Sequence, residues 1–180
     1  MMNNYDEILN NYKKLNEKAI KGSSVVLFGA DWLSKVPISE ISRDSGMDTV
    51  IYNRSIKGLS LKDSEKVAEI CITQLNPSKV FINLGENDMT EAGFVKEEFA
   101  EKFEWLLYVI HSCCNCDIYI LSIVNDIKGE ANDILQNISQ KYGCEYIDIR
   151  ECKTSFINFF NKIRFFLRTH PITFCEAMNI

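Results

Sequence analysis

The sequence predicts a three-layer α/β/α sandwich built around a five-stranded parallel sheet. Five short apolar runs rich in β-branched residues are separated by helical patterns. Strands that are buried on both faces have this continuous apolar character, and alternation with helices favours a parallel sheet covered on both sides. The chain has 180 residues, a usual length for one domain. We therefore expect a single domain over residues 1–180.

The elements follow one another in a regular order. Residues 1–22 are predicted to hold an amphipathic helix that packs on the domain and is ended by Gly22, because apolar residues recur there at helical spacing. Strands are expected at residues 24–28, 49–53, 79–84, 117–124 and 144–149. Helices are expected around residues 67–75, 99–110 and 134–142, with Gly143 as a C-cap, and a last aromatic helix at residues 155–167.

The net charge and the distribution of charged residues argue against some classes of binding partner. The formal net charge is −5, and the sequence contains no stripe of Lys and Arg. Nucleic acids and anionic membranes both need a concentrated basic surface, so neither is expected as a partner. The polar start of the chain lacks the pattern of a secretory signal, and no apolar run reaches the length of a membrane span. We expect a cytoplasmic protein.

The seven cysteines are predicted to be free thiols, because they are odd in number and scattered through apolar stretches. The cluster Cys113, Cys114 and Cys116 raises a metal hypothesis. A zinc site usually needs a second ligand pair at a defined spacing, and no convincing second pair follows. The prediction is that no metal and no cofactor is bound.

Polar residues follow the predicted strands where a binding site is expected. "GAD" (Gly29 to Asp31) follows the first strand, "NRSIKG" ends the second at Gly58, and "GEND" after the third contains Asn87. "RTHP", with His170, comes after the last helix. Ligands of doubly wound sheets bind beyond the carboxyl ends of the strands, so these loops are expected to share one rim.

These four blocks resemble those of the SGNH hydrolase superfamily, also called the GDSL esterases and lipases. "VVLFGADWLSKVPI", "VIYNRSIKG", "VFINLGEND" and "LRTHP" stand in the family's order. The resemblance implies a flavodoxin-like strand order and a small ester or O-acylated sugar as the substrate class. It also implies that the Gly58 amide and the Asn87 side chain donate hydrogen bonds to an oxyanion, and that His170 is the general base.

Two catalytic positions depart from the family pattern. Asp31 stands where the resemblance places the nucleophilic serine, and Leu167 stands where it places the acid of the triad. The family's mechanism needs a hydroxyl deprotonated by an imidazole that a carboxylate orients. Ser34 and Ser55 are the nearest replacement hydroxyls, but neither is expected to reach the required geometry. Catalysis through a serine is therefore not expected.

Several roles remain open for Asp31. It can be a helix N-cap or first-turn residue, held by Asn87, because acidic side chains are stabilised at helix N-termini. It can instead face His170, either to hold a polar ligand or to activate water. His170 can also simply close the last helix. A metal at Asp31, Asn87 and His170 would need better ligands than these.

Two functions follow from these residues. The first is a non-hydrolytic relative that binds a small polar ligand or a protein partner through the inherited cleft, with Gly29, Gly58 and Asn87 among the binding groups. The second is a hydrolase for small esters or O-acylated carbohydrates, in which Asp31 and His170 activate water in place of a serine.

Overall fold

A computed structural model of the chain describes residues 5–90 and 94–168. Its centre is a five-stranded sheet in the order β2-β1-β3-β4-β5, and every strand pair is parallel. The predicted sheet and its flavodoxin-like order are confirmed. The strands are β1 (Val25–Gly29), β2 (Ile51–Asn53), β3 (Lys79–Asn83), β4 (Asp117–Leu121) and β5 (Glu145–Ile147).

Helices connect the strands and cover both faces of the sheet. They are α1 (Asp6–Asn16), α2 (Asp31–Ser34), α3 (Ile38–Asp44), α4 (Leu61–Cys71), α5 (Glu86–Thr90), α6 (Lys96–Cys113), α7 (Glu130–Tyr142) and α8 (Phe156–Leu167). Within the described ranges, every helix falls short of the length and apolar character needed to span a bilayer.

Alternate residues of each strand pack against different helices, since successive side chains point to opposite faces. Val26, Phe28 and Ile82 face a core formed with α1, α4, α6 and α7. Leu27 and Phe81 face a second core formed with α2, α3 and α8. All of these strand side chains are fully buried, which explains why the strands read as continuous apolar runs.

The observed elements differ from the sequence prediction mainly at their ends. The fourth strand stops at Leu121 rather than at residue 124. Beyond that point, the side chain of Asn132 binds both the amide and the carbonyl of Ile123, at 2.7 and 3.0 Å, and replaces the strand partner. The first helix ends at Asn16, before Gly22. Gly143 caps α7 with a φ of 67°, as predicted.

Helix α8 runs from the carboxyl edge of the sheet back to its amino edge. Near its start, Trp32 packs against Phe156 and donates a hydrogen bond to the Lys153 carbonyl at 3.0 Å. At its end, the ammonium group of Lys79, the first residue of β3, donates to the carbonyls of Phe166 and Arg168 at 2.9 and 2.7 Å. The last described residue, Arg168, therefore lies at the amino edge of the sheet.

Candidate functional site

Asp31 lies beyond the carboxyl end of β1, as the sequence predicts. The strand ends at Gly29, Ala30 turns the backbone, and Asp31 is the first residue of α2. A Cβ atom on Gly29 would lie 2.5 Å from the Asn83 carbonyl oxygen, so a glycine is needed for the close approach of β1 to β3. The expected ligand-binding role of Gly29 stays a prediction.

The Asp31 carboxylate is bound by the two groups that were expected to hold an oxyanion. Its Oδ2 atom accepts a hydrogen bond from the Gly58 amide at 3.0 Å and another from Asn87 Nδ2 at 2.8 Å. Asn87 Nδ2 also donates to the Leu59 carbonyl at 3.0 Å, which fixes the orientation of the amide. The structure thus brings Asp31, Gly58 and Asn87 together, with a carboxylate oxygen between the two donors.

The Gly58 donor belongs to a tight turn of residues 56–59. The Leu59 amide donates to the Ile56 carbonyl at 3.1 Å, which closes the turn, and Gly58 has a φ of 77°. A type II turn requires a positive φ at this third position, which favours glycine. The Ile56 amide also donates to the Gly29 carbonyl at 2.9 Å, so the turn is anchored to the end of β1.

The pKa of Asp31 is lowered from its ordinary value. Partial burial of the carboxyl raises it, but the hydrogen bonds from Asn87 and Gly58 favour the charged form and outweigh that effect. The exposed Lys35 ammonium acts in the same direction. Asp31 is therefore an anion throughout the neutral range.

The remaining residues of the "GEND" block have structural contacts. A Cβ atom on Gly85 would lie 2.6 Å from the Phe99 ring, so a glycine is required there. Both carboxylate oxygens of Asp88 accept from the Leu61 amide at 3.1 Å, at the first residue of α4. Glu86 accepts a hydrogen bond from the side chain of Asn125.

Leu167, which stands where the resemblance places the triad acid, is not near Asp31 in the described structure. Leu167 is fully buried at the end of α8, on the opposite edge of the sheet. His170 lies outside the described residues, and its pairing with Asp31 stays a prediction. The Ser34 hydroxyl donates to the Asp31 carbonyl at 2.9 Å, and the buried Ser55 hydroxyl has no partner within the described ranges.

The cysteines of the described ranges are free thiols. Burial raises the pKa of Cys116 to about 12, and it raises the pKa of Cys114 as well. Among residues 5–90 and 94–168, no group of three or more His, Cys, Asp or Glu side chains is arranged to hold a metal ion.

Sequence reasoning missed the contribution of α1 to the site. Tyr5 and Tyr12 fall on the helical spacing of the apolar residues at the start of the chain, but their hydroxyls donate to the carbonyls of Gly58 and Ser55, at 3.0 and 2.9 Å. Arg54, within the second block, lies buried beneath the same helix. In the sequence, the sign of these contacts was tyrosine at positions where leucine or phenylalanine would equally suit an apolar helix face.

Comparison with solved structures identifies the same fold in proteins that include an esterase and a GDSL-like lipase. A proposed platelet activating factor from Streptococcus pneumonia superimposes with a TM-score of 0.69 at 17% identity, covering 91% of this chain and 92% of the other. The psychrotrophic esterase EstA from Pseudoalteromonas sp. gives 0.66 at 15%, covering 81% and 99%. A GDSL-like lipase from Bacteroides thetaiotaomicron gives 0.63 at 13%, covering 79% and 78%.

No protein-family model matches the sequence, and no curated protein matches it by sequence. The shared property is the three-dimensional fold, at identities far below those that carry function. The predicted resemblance to the SGNH hydrolases is confirmed at that level: this chain has the fold of GDSL-like lipases, acylhydrolases and esterases.

Proposed function

We propose that this chain is a non-hydrolytic relative of the SGNH-fold ester hydrolases and that it binds a ligand or partner at the rim around Asp31. One observation carries the proposal. Asp31 Oδ2 is hydrogen-bonded by both the Gly58 amide and the Asn87 side chain. In an ester hydrolase of this fold, the resemblance assigns these two donors to the oxyanion of the reacting ester.

The negative charge of Asp31 argues against acyl transfer at this site. A substrate carbonyl would have to displace a carboxylate oxygen that already has two donors. If it did so, the new oxyanion would lie near a fixed negative charge, and a separation of about 4 Å costs roughly 4 kcal/mol at an effective dielectric constant of 20. That cost corresponds to nearly three powers of ten in rate.

The course of α8 also supports the proposal. Lys79 pairs in register with Val25 at the start of β1, whereas Gly29 ends that strand, so at about 3.3 Å per residue the two edges lie roughly 13 Å apart. Arg168 is held to Lys79 at the amino edge. For Asp31 and His170 to act as a pair, residues 169 and 170 together with the imidazole side chain would have to span this distance between the two edges of the sheet.

The charge of Asp31 defines the chemistry of the proposed ligand. Ester hydrolases of this fold offer hydrogen-bond donors to an acceptor, the substrate carbonyl. Here the half-buried Asp31 carboxylate offers an acceptor instead, and it is negatively charged at neutral pH. The complementary ligand is therefore a group that donates hydrogen bonds or carries a positive charge, such as an amine.

Hydrolysis is tested with short-chain p-nitrophenyl esters on the wild type, Asp31→Ala and His170→Ala. The expected result is turnover no greater than that of buffer for all three proteins, and no labelling by a fluorophosphonate probe. Wild-type turnover that disappears in both variants would overturn the proposal and favour water activation by Asp31 and His170. Fluorophosphonate labelling would reveal an active serine.

Binding is tested by NMR titration with two probes of matched size, butylamine and butyrate. The expected result is that butylamine perturbs the Gly58 and Asn87 signals, that butyrate does not, and that Asp31→Asn abolishes the difference. Asp48→Asn is the matched control, because Asp48 is exposed on another part of the surface. An equal response to both probes in the wild type would contradict the proposed charge preference.

A further inference from the structure

Helix α1 contacts the turn that carries the Gly58 donor through two tyrosine hydroxyls. Tyr5 donates to the Gly58 carbonyl at 3.0 Å, and Tyr12, two turns later on the helix, donates to the Ser55 carbonyl at 2.9 Å. Tyr5 immediately precedes α1, and residues seven apart lie on the same face of an α-helix, so one side of α1 contacts both Gly58 and Ser55, the residue before the turn. The two bonds join segments more than forty residues apart in sequence.

A buried arginine provides a second attachment at the start of the same loop. Arg54 is 5% exposed, and its Nε and Nη2 atoms donate to Asn16 Oδ1 at 3.3 and 3.1 Å. Its guanidinium carbon lies 4.9 Å from the centre of the Tyr12 ring and 5.0 Å from that of the Tyr52 ring. In the described ranges no carboxylate lies within ion-pair distance of it, and two of its three neighbours come from α1.

This arrangement makes α1 necessary for the burial of Arg54. A buried cation is costly unless hydrogen bonds and polarisable groups replace its hydration. Here an amide oxygen and two aromatic faces take that role, and cation–π contacts become stronger when they are removed from water. If α1 separates from the domain, Arg54 loses the Asn16 oxygen and the Tyr12 ring. The guanidinium is then expected to become solvent-exposed and to move the 55–58 loop with it.

We propose that α1 is a strap that holds the 55–58 loop in the conformation that aims the Gly58 amide at Asp31. Tyr5 and Tyr12 are positioning residues, since they contact the carbonyls of the loop rather than any ligand. The carbonyl bound by Tyr5 and the amide bound by Asp31 belong to the same residue, Gly58, so holding the carbonyl also limits the direction of the amide. This role does not depend on whether the site hydrolyses esters or binds a ligand.

The strap is tested by removing the two hydroxyls in a Tyr5→Phe, Tyr12→Phe double variant. Without those bonds the loop samples other conformations, so the Gly58 amide donates to Asp31 for a smaller fraction of the time. The expected result is that the pKa of Asp31, followed by carboxyl-carbon NMR, rises by about half a unit, a threefold change in its acid dissociation constant. Hydrogen exchange at the Gly58 amide is expected to become faster.

Tyr142→Phe is the matched control. It removes a tyrosine hydroxyl that donates to Glu104 at 2.9 Å on the outer surface of α7. It is expected to leave both the pKa of Asp31 and the exchange of the Gly58 amide unchanged.

A purely structural role for α1 would lower the melting temperature of the double variant without changing either measurement at Asp31 and Gly58. That result in a folded variant would overturn the proposal. If the double variant does not fold, the single Tyr5→Phe variant decides, because only one half-exposed side chain is altered. It is expected to shift the pKa of Asp31 in the same direction by a smaller amount, and no shift would refute the strap.

Discussion

The amide nitrogen of Gly58 lies 3.0 Å from the Oδ2 atom of Asp31, although 27 residues separate the two in sequence. A carboxylate oxygen consequently lies between the two donors that the resemblance to the SGNH hydrolases assigns to an oxyanion. Asp31 stands where that resemblance places the nucleophilic serine. Its lowered pKa keeps a negative charge against both donors at neutral pH.

The pH dependence of stability should report the hydrogen bonds of Asp31. Its folded-state pKa is lowered, so its contribution is present above the unfolded value near 4 and is lost as the pH falls through the folded value. Asn87→Ala removes one donor and is expected to cost about 1–2 kcal/mol of unfolding free energy at pH 7. Urea unfolding at pH 7 and pH 2.5 should show that this cost shrinks in acid.

Gln140→Ala serves as the control for this measurement, because Gln140 is exposed on α7 and makes no contact with Asp31. Its effect should be small and the same at both pH values. A cost of Asn87→Ala that does not change with pH would mean that the bond to Leu59, rather than the bond to the Asp31 carboxylate, accounts for the stabilisation.

Two glycines near the site should respond differently to substitution by alanine. A Cβ atom on Gly85 would lie 2.6 Å from the Phe99 ring and 2.8 Å from Ile123, at a φ of 116°. Gly85→Ala is therefore expected to cost about 3 kcal/mol or more, through overpacking and backbone strain together. Around Gly58 no atom lies within 4 Å of the added Cβ, so Gly58→Ala should cost only about 1–2 kcal/mol of strain.

Thermal or urea unfolding of both variants checks this ranking. Gly22→Ala is the control for strain alone, since it also has a positive φ and open space around the added atom. Equal losses at Gly85 and Gly58 would show that the packing around Gly85 relaxes to accept a methyl group.

The buried guanidinium of Arg54 should make single substitutions non-additive. Asn16→Leu removes the oxygen that both guanidinium nitrogens contact, leaves a buried charge with weaker solvation, and is expected to cost about 2–4 kcal/mol. Adding Arg54→Met removes that charge. The double variant should therefore lose less stability than the sum of the two single variants.

A double-mutant cycle measured by urea unfolding gives this coupling energy directly. Arg43→Met is the control, because Arg43 is exposed on α3 and should add its effect independently. Full additivity between Asn16 and Arg54 would indicate that the two tyrosine rings alone solvate the guanidinium.

Lys79 should stabilise the end of α8. Its ammonium group donates to the carbonyls of Phe166 and Arg168, and burial lowers the pKa of Lys79. A cation at a helix C-terminus interacts favourably with the last carbonyls. Lys79→Met keeps the apolar stem but removes the charge, and it is expected to cost about 1–2 kcal/mol.

Hydrogen exchange of the α8 amides, together with urea unfolding, checks this prediction. Faster exchange is expected in the last turn of α8, whereas Lys13→Met on the exposed face of α1 should change neither measurement. Unchanged exchange near Phe166 in Lys79→Met would show that packing alone holds the end of the helix.

Sequence patterns predicted much of this structure because those patterns are local. Strands such as β1 and β3 are apolar along their whole length, since both faces of the sheet are covered, and periodicity identified α8 to within one residue at its start. The position of Asp31 at the end of β1 was predicted for the same reason. Strand ends were less accurate where a side chain, such as that of Asn132, replaces the sheet partner.

The sequence by itself therefore determined the α/β/α architecture, the order of its elements and the presence of an acid directly after the first strand. Only the tertiary structure decided that this acid is bound by Gly58 and Asn87, that Tyr5 and Tyr12 hold the loop, and that α8 carries Leu167 to the opposite edge. Periodicity reports which side of an element is buried, a property of neighbouring residues. Hydrogen bonds between distant segments depend on how the packed elements are oriented, and no local pattern encodes that orientation.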